Sequence, residues 1–278
     1  MFGDRRVFES AAIHDDADTP TNADSHHAVP PGVTCWICGS PEMELIRLGN
    51  LPPRLQPDAF RITDAGYGHT GDLVQCGHCG FRQCVGMDQV LAYYERMDDT
   101  EYEATRTHRA LQARRLLRML GPATAGARLL DIGAGSGILV EQALAAGWQA
   151  DGVEPSHNLA NAAIARGLPV HCGVLPHPAI GGRFDTVTLI DVIEHVPDPL
   201  DLLRSAAALL APGGRMLIVT PDVNSVAARA MGSRWWHYRI AHIGYFNHAT
   251  LTRATKLAGL QPVRVTRPSW NLPAGYLL

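Results

Sequence analysis

The chain has 278 residues, of which 46% are apolar, so it can bury the core of one large domain and of a small second one. Its formal net charge is −3, with 24 Lys and Arg against 27 Asp and Glu, and this balance argues against nucleic acid as a partner. The sequence shows no apolar run long enough for a membrane span and no segment typical of a secretory signal. We therefore expect no membrane partner and a cytoplasmic location.

Composition divides the chain into four regions. Residues 1–32 are rich in Asp, His, Thr and Pro without an apolar period, which predicts a disordered tail. Residues 33–87 combine strand-like pieces and turn residues with cysteine pairs, which indicates a small module. Residues 88–122 predict a helical linker between this module and residues 123–278. The apolar face of the linker helix is expected to carry Leu111, Leu116, Leu117 and Leu120.

Residues 123–278 alternate between strand and helix patterns. Strands are predicted over residues 127–132, 149–153, 170–172, 184–190, 215–220 and 262–266, with a last one over 274–278. Helices are predicted over residues 138–146, 159–166, 199–210 and 250–258. This alternation indicates an α/β fold with a parallel sheet covered by helices on both faces. Ligands of such sheets lie at the carboxyl ends of the strands, so the residues that follow the strands are candidates for a site.

A glycine-rich segment follows the first of these strands. It reads Asp131-Ile-Gly133-Ala134-Gly135-Ser-Gly137-Ile138. Glycines in this position let the chain turn tightly and let a ligand approach the backbone. A dinucleotide-binding fingerprint requires glycine where this chain has Ile138, and the Gly-Lys-Ser/Thr of a phosphate-binding loop is absent. The loop alone leaves open a Rossmann-like domain that binds another ligand.

Three further motifs follow the loop in order. They are Asp151-Gly-Val-Glu154-Pro155-Ser156, Phe184-Asp-Thr-Val-Thr-Leu-Ile-Asp191 and Leu210-Ala-Pro-Gly-Gly214. Glu154 ends the second strand, where a carboxylate can accept both hydroxyls of a ribose. Together with the glycine loop, this order over residues 126–266 resembles the class I methyltransferases that use S-adenosylmethionine (SAM). The resemblance implies a Rossmann-like class I methyltransferase sheet and SAM as the cofactor.

The same resemblance assigns roles to individual residues. It implies a cofactor site made of Asp131, Gly133, Ala134, Gly135, Gly137, Glu154, Pro155, Ser156 and Asp191. In this site the glycines flank the methionine part of SAM, Asp131 holds the loop or the amino group, and Glu154 binds the ribose. Members of this class often carry an acid after the third strand that contacts adenine. This chain has His171-Cys172-Gly173 there, which leaves that contact to backbone amides.

Cys35-x-x-Cys38 and Cys76-x-x-Cys79 form two CxxC pairs, each followed at once by glycine. Four thiolates in a tetrahedral arrangement suit a structural zinc ion. A redox role is the weaker alternative, because the motif is doubled and begins no helix. Residues 35–83 also resemble a zinc-binding module that precedes some small-molecule methyltransferases, including sugar C-methyltransferases of antibiotic biosynthesis. We therefore expect a small N-terminal domain that is similar to a zinc ribbon.

The acceptor site is expected after the fourth and fifth strands. His195 suits a general base for a hydroxyl group, and Glu194 could orient it or act in its place. Residues 234–246 contain two Trp, two Tyr, two His and one Phe, which suit the wall of a small acceptor pocket. Within them, His237 and His242 are further candidate catalytic residues. The alternative for the aromatic residues is a hydrophobic cover over the sheet.

These observations predict a SAM-dependent methyltransferase for a small-molecule acceptor, a natural product or a sugar, with O-methylation favoured by His195. C-methylation of a keto-sugar is the close alternative, since it also needs a base. A second alternative is an RNA- or protein-modifying enzyme that docks through the cysteine module, but residues 33–86 hold four Arg against five acids and offer no basic stripe. A non-catalytic SAM-binding protein is the third.

Overall fold

The computed structural model of the protein describes residues 29–63, 66–87 and 89–267. The predicted disordered tail falls mainly on residues 1–28, outside the described residues, as does the predicted strand over 274–278. Within the described part, no helix is both long and apolar enough to cross a membrane. The strands form two sheets, one antiparallel and one parallel.

The cysteine-rich region folds into an antiparallel meander. Its strands are β1 (Met43–Arg47), β2 (Asp72–Cys76) and β3 (Arg82–Val85). β2 lies in the centre, where Val74 pairs with Leu45 on one side and with Gln83 on the other. Met43 at the start of β1 pairs with Cys76 at the end of β2. This register brings the two CxxC pairs to the same end of the sheet.

The predicted linker contains two helices where the sequence pattern indicated one. These helices are α1 (Val90–Arg96) and α2 (Arg106–Leu120). α1 ends because Met97 has an extended backbone, with ψ of 130°. The predicted apolar face of α2 is wrong at Leu111, which is 42% exposed, because the buried stripe runs through Gln112 and Ala113 instead.

The parallel sheet confirms the predicted α/β fold. In chain order its elements are β4 (Arg128–Ile132), α3 (Ile138–Ala145), β5 (Gln149–Glu154), α4 (His157–Ala165), β6 (Val170–Cys172), β7 (Phe184–Ile190), α5 (Pro199–Ala208) and β8 (Leu210–Val219). The strand order is β6-β5-β4-β7-β8. The order reverses at β4, and ligands of such sheets bind where it reverses, outside the carboxyl ends of the strands.

The last described elements are α6 (Val226–Met231), β9 (Gly244–Tyr245) and α7 (His248–Leu257). β9 pairs with β3, where Arg82 lies opposite Tyr245, and so completes the first sheet in the order β1-β2-β3-β9. The strand predicted over residues 262–266 is wrong, because this segment pairs with no strand in the described part and Val263 is 94% exposed.

One buried core joins the cysteine-rich region to the parallel sheet. Phe60 and Leu73 of the former belong to the same cluster as Leu129 of β4 and Trp235. A second cluster joins Phe81 to the parallel sheet in the same way. The cysteine-rich region therefore packs as part of one body, and β9 adds backbone pairing to this contact.

Candidate active site

The glycine loop after β4 is fixed by the neighbouring strand β5. The backbone N–H groups of Gly133 and Ala134 both donate to the carbonyl of Val153, at 2.8 and 3.0 Å. Gly133, Gly135 and Gly137 have φ angles of 73°, 54° and 75°, a region in which other residues are strained. The fold thus places the predicted cofactor loop at the carboxyl edge of the sheet, in a backbone path that requires these glycines.

Glu154, at the end of β5, is joined to this loop. Its Oε2 accepts the backbone N–H of Gly135 and its Oε1 accepts that of Ser156, both at 2.8 Å. Burial raises the pKa of Glu154 to about 7, although these two N–H groups act in the opposite direction. Each carboxylate oxygen keeps a second lone pair, so Glu154 can still accept a ribose hydroxyl.

Asp131 is a second buried carboxyl group beside the loop. Its Oδ1 accepts the hydroxyl of Thr188 at 2.5 Å. Burial raises the pKa of Asp131 to about 7, with Thr188 opposing the rise and the charge of Glu154 adding to it. A cationic ligand would favour the ionised form of both carboxyl groups. This pair of buried carboxyl groups therefore fits SAM, which carries a sulfonium and an ammonium group.

Pro155 and Ser156 follow Glu154 at the carboxyl edge of the parallel sheet. The Ser156 hydroxyl accepts the N–H of Leu159 at 3.4 Å and so begins α4. It also lies 3.3 Å from the carbonyl of Met97, to which it donates. This contact attaches the end of α1 to the cofactor edge of the sheet.

Tyr102 and Arg109 lie over the glycine loop and were missed from the sequence. A Cβ atom added to Gly135 would lie 2.6 Å from the Tyr102 hydroxyl. The guanidinium of Arg109 lies 4.2 Å from the centre of the Tyr102 ring. Neither residue belongs to a sequence motif, and α2, which carries Arg109, packs against α3, the helix that follows the loop.

The segment after β7 forms the acceptor side. Asp191 directly follows β7 and is exposed, with a φ of 52° that is uncommon for a residue other than glycine. Glu194 and His195 follow in a short 3-10 turn. Glu194 is 1% exposed, and its Oε2 accepts the hydroxyl of Thr220 at 2.9 Å. Its Oε1 has no hydrogen-bond partner among the described residues and lies 3.9 Å from Nε2 of His195.

His195 is fixed through its Nδ1 atom. This atom lies 2.8 Å from the carbonyl oxygen of Ala241 and 2.5 Å from the hydroxyl of Tyr94. A carbonyl can only accept, so Nδ1 carries the proton and Nε2 presents a lone pair. Burial lowers the pKa of His195 to about 3; the bond to Ala241 opposes this, and the charge of Arg239 adds to it. The imidazole is therefore neutral at physiological pH.

His242 and His237 extend this cluster. The ring centre of His242 lies 4.7 Å from that of His195, and the His237 ring stacks on His242 at 5.5 Å. Burial lowers the pKa of both, that of His237 to about 4. Glu194, His195 and His242 each offer one ligand atom within 4.8 Å of the others, a spacing that suits an acceptor hydroxyl or a divalent cation. The structure thus brings all four predicted catalytic residues together.

The aromatic residues of the segment 234–246 lie mostly in the core. Trp235, Tyr245 and Phe246 are 2%, 3% and 1% exposed, whereas Trp236 is 40% exposed. Trp235, Tyr245 and Phe246 therefore fit the alternative of a hydrophobic cover. The prediction that they form the wall of an acceptor pocket is wrong. They are buried because β9 inserts this segment between the two sheets.

The four cysteines of the CxxC pairs form one cluster. The Sγ atoms of Cys35 and Cys79 lie 3.5 Å apart, as do those of Cys38 and Cys76. All four Sγ atoms lie within 4.8 Å of one another, and none takes part in a disulfide. Zinc–sulfur bonds of about 2.3 Å in a tetrahedron would place the sulfurs about 3.8 Å apart. The cluster therefore has the size of a zinc site.

Both cysteine pairs adopt the same turn. The N–H of Gly39 donates to the carbonyl of Cys35 at 2.8 Å, and that of Gly80 to Cys76 at 2.9 Å. Both glycines have left-handed φ angles, of 70° and 75°. In each turn one backbone N–H also points at the first sulfur, at 3.4 Å, which favours a thiolate. These residues could hold a metal ion.

The parallel sheet, the glycine loop after its first strand and the acid at the end of its second define the class of the protein, a class I SAM-dependent methyltransferase. Residues 102–265 match the family model described as "Methyltransferase domain". Because this match covers more than half of the chain, the protein belongs to that methyltransferase domain family.

Curated relatives carry the name ubiquinone biosynthesis O-methyltransferase. The one from Xanthomonas euvesicatoria pv. vesicatoria is 36% identical over an alignment of 156 residues, and the alignment covers 49% of this chain and 64% of the relative. The one from Ralstonia nicotianae is 31% identical over an alignment of 163 residues, and the alignment covers 53% of this chain and 68% of the relative. The match thus spans less than two thirds of the Xanthomonas protein's length.

Among solved structures, a chain from the complex of the Haloferax volcanii Trm112 methyltransferase activator with a methyltransferase is similar to this protein. The TM-score is 0.50 at 22% identity, over 64% of this chain and 78% of that chain. This likeness supports the fold.

Proposed function

We propose that the protein is a SAM-dependent O-methyltransferase that acts on a hydroxyl group of a small molecule. This proposal rests on the Nε2 atom of His195, an unprotonated ring nitrogen that can take up a proton at the carboxyl edge of the sheet. Its segment packs on the cofactor loop, since a Cβ atom on Gly133 would lie 2.5 Å from Val192. The name O-methyltransferase of relatives that are up to 36% identical supports oxygen over carbon as the acceptor atom.

When bound, SAM supplies a methyl group on a positively charged sulfur. The sulfur is the leaving group, and it needs no protonation. The chain aligns the acceptor hydroxyl with that methyl group, and such alignment is worth about 7–11 kcal/mol. As the oxygen–carbon bond forms and the carbon–sulfur bond breaks, Nε2 of His195 takes the hydroxyl proton. Burial and the neighbouring Asp191 raise the pKa of Glu194, which favours its protonated form.

An aromatic hydroxyl suits this base best. Burial lowers the pKa of His195 to about 3, so its imidazole is a weak base, and a more acidic hydroxyl gives up its proton to it more readily. A phenolic hydroxyl, with a pKa of about 10, is far more acidic than the alcohol of a sugar. We therefore place an aromatic hydroxyl before a sugar hydroxyl. The natural-product or sugar acceptor and the cytoplasmic location stay predictions.

We also propose that Cys35, Cys38, Cys76 and Cys79 hold a structural zinc ion. The sulfur spacing and the paired turns support this, and four protein ligands leave no open position for catalysis. Residues 33–87 would then be a zinc-binding module that shares its core with residues 123–267. Docking of RNA or protein through this module has no basic surface to support it.

The proposed function is tested by incubating the purified protein with SAM that carries an isotope-labelled methyl group. The acceptors are catechol, cyclohexanediol and a simple β-keto ester, which offer an aromatic hydroxyl, an aliphatic hydroxyl and an acidic carbon. We expect label on the oxygen of catechol, as seen by NMR of the product. Label on carbon would support the C-methyltransferase alternative. SAM binding with no transfer to any of the three would support the non-catalytic one.

A further inference from the structure

Gln83 joins the cysteine cluster to the sheet that carries it. It lies on β3 and is 1% exposed. Its Oε1 accepts the N–H of Trp36 and its Nε2 donates to the carbonyl of Thr34, both at 2.9 Å. These two residues flank Cys35. The side chain of Gln83 therefore fixes the first cysteine turn on β3.

The backbone of the same strand holds the segment that carries β9. Gln83 pairs with Gly244, and the N–H of Cys84 donates to the carbonyl of Ile243 at 2.8 Å. The rings of Phe81 and Phe246 pack 4.9 Å apart beside this pairing. The position of residues 241–246 thus follows from the position of β3.

Residues 241–246 in turn hold the candidate catalytic residues. The carbonyl of Ala241 accepts Nδ1–H of His195 at 2.8 Å, and the N–H of Ile243 donates to the carbonyl of Glu194 at 2.9 Å. His242 belongs to this segment, and its carbonyl accepts the hydroxyl of Tyr245 at 2.8 Å. A continuous set of hydrogen bonds therefore runs from the cysteine cluster to the acceptor side of the site.

A second set of hydrogen bonds joins the cysteine-rich region to the residues that precede β9. The guanidinium of Arg239 donates to the carbonyls of Arg61 and Ile62, at 2.6 and 3.3 Å, and the N–H of Gly68 donates to the carbonyl of Tyr238 at 2.6 Å. The cofactor loop is held differently, by Val153 and Glu154 of β5, as described above.

We propose that the four-cysteine centre positions the acceptor side of the active site, with Gln83 as the positioning residue between them. Closure of the two cysteine turns by a metal ion fixes β3, and β3 fixes residues 241–246 with His195 and His242. The inference rests on the proposed zinc site and on the proposed role of His195. It assigns the cysteine-rich region a part in acceptor activation in addition to stability.

Hydrogen exchange of the full-length protein tests this before and after zinc is removed by a chelator. Without zinc, we expect the amides of residues 241–246 to exchange at least about tenfold faster, because the free energy needed to open β9 decreases. Amides of β4 and β5 should keep their exchange rates, and the affinity for S-adenosylhomocysteine (SAH) should stay within about threefold. Equal exchange of residues 241–246 with and without zinc would overturn the proposal. Loss of protection and of SAH binding throughout the protein would overturn it too, because the centre would then be a general element of the fold.

A variant tests the part of Gln83. Gln83→Met removes both side-chain hydrogen bonds at similar volume. Gln75→Met on β2 is the matched control, since the side chain of Gln75 accepts a hydrogen bond from Arg82 on the same sheet, at 2.8 Å. We expect Gln83→Met to keep its zinc but to show fast exchange of residues 241–246. Turnover of catechol should fall through kcat, with SAH affinity unchanged. Exchange equal to that of Gln75→Met would contradict the coupling; if Gln83→Met does not fold, the zinc-removal experiment decides.

The exchange and SAH measurements do not depend on methyl transfer. If the protein transfers no methyl group to catechol but residues 241–246 still respond to zinc, the proposed function fails and the coupling stands. If transfer occurs and these residues do not respond, the coupling fails and the proposed function stands.

Discussion

The carbonyl oxygen of Ala241 lies 2.8 Å from Nδ1 of His195, although the two residues are 46 positions apart in the chain. This contact selects the imidazole tautomer, because only a protonated Nδ1 can donate to a carbonyl. It leaves Nε2 as the ring nitrogen that can act on an acceptor. The base is therefore defined by a loop that lies far from it in sequence.

His195→Asn separates the two functions of this side chain. The amide nitrogen of Asn can take the place of Nδ1 and keep the bond to Ala241, whereas nothing replaces Nε2. We expect catechol turnover to fall by roughly 10²–10⁴-fold, with SAH affinity within about twofold by calorimetry. The control is His248→Asn, which changes an exposed histidine of α7 and should keep full turnover. Wild-type turnover in His195→Asn would remove His195 from the role of base.

Gly135→Ala tests the cofactor loop. At a φ of 54°, alanine costs about 1–2 kcal/mol, and its Cβ would also lie 2.6 Å from the hydroxyl of Tyr102. Gly126→Ala is the matched control, since Gly126 has a φ of 78° and open space around the new atom. Gly135→Ala should lose at least as much stability in urea as Gly126→Ala, and it alone should lose SAH affinity, by about tenfold or more. Equal affinities would mean that the loop does not bind the cofactor.

Asp131 and Glu154 predict a pH-dependent stability of the ligand-free protein. Burial raises both pKa values to about 7, whereas these groups titrate near pH 4 in an unfolded chain. At these two groups the folded state therefore binds more protons, so their contribution to stability is fully present below about pH 4 and is lost as pH rises through about 7. Glu154→Gln should remove part of this loss, up to about 3 kcal/mol between pH 4 and 8.

Urea unfolding at several pH values measures this difference. Glu141→Gln changes an accessible carboxylate of α3 and serves as the control. SAM should stabilise the wild-type protein more at pH 8 than at pH 5, because its positive charge favours the ionised carboxylates. A Glu154→Gln variant whose stability changes with pH in the same way as that of the wild type would contradict the direction assigned to Glu154.

The cysteine cluster predicts about one zinc ion per chain by metal analysis. Cys35→Ser should lose it, because three thiolates bind zinc far more weakly than four. Cys172→Ser is the control: Cys172 lies 3.2 Å from His157, outside the cluster, and its replacement should leave the zinc content unchanged. A folded, zinc-free wild-type protein would contradict the zinc site.

The sequence by itself determined the parallel sheet and its cofactor edge. Local chemistry decides these features: β-branched and apolar runs form buried strands, and the left-handed backbone after β4 accepts only glycine without strain. The motif order then places Gly135 and Glu154 at neighbouring strand ends, and the structure joins them by a hydrogen bond of 2.8 Å.

Only the tertiary structure decided the acceptor side. Tyr94 and Tyr102 carry no motif, and they reach the site because segments from distant parts of the chain pack there. The failures have the same cause: the valines near residue 263 have strand character but no partner strand, and Trp235 and Phe246 are buried between two sheets. Local patterns report propensity and periodicity, whereas strand pairing and burial depend on contacts between distant segments. The tautomer of His195 likewise depends on Ala241, which is positioned by the pairing of β9 with β3.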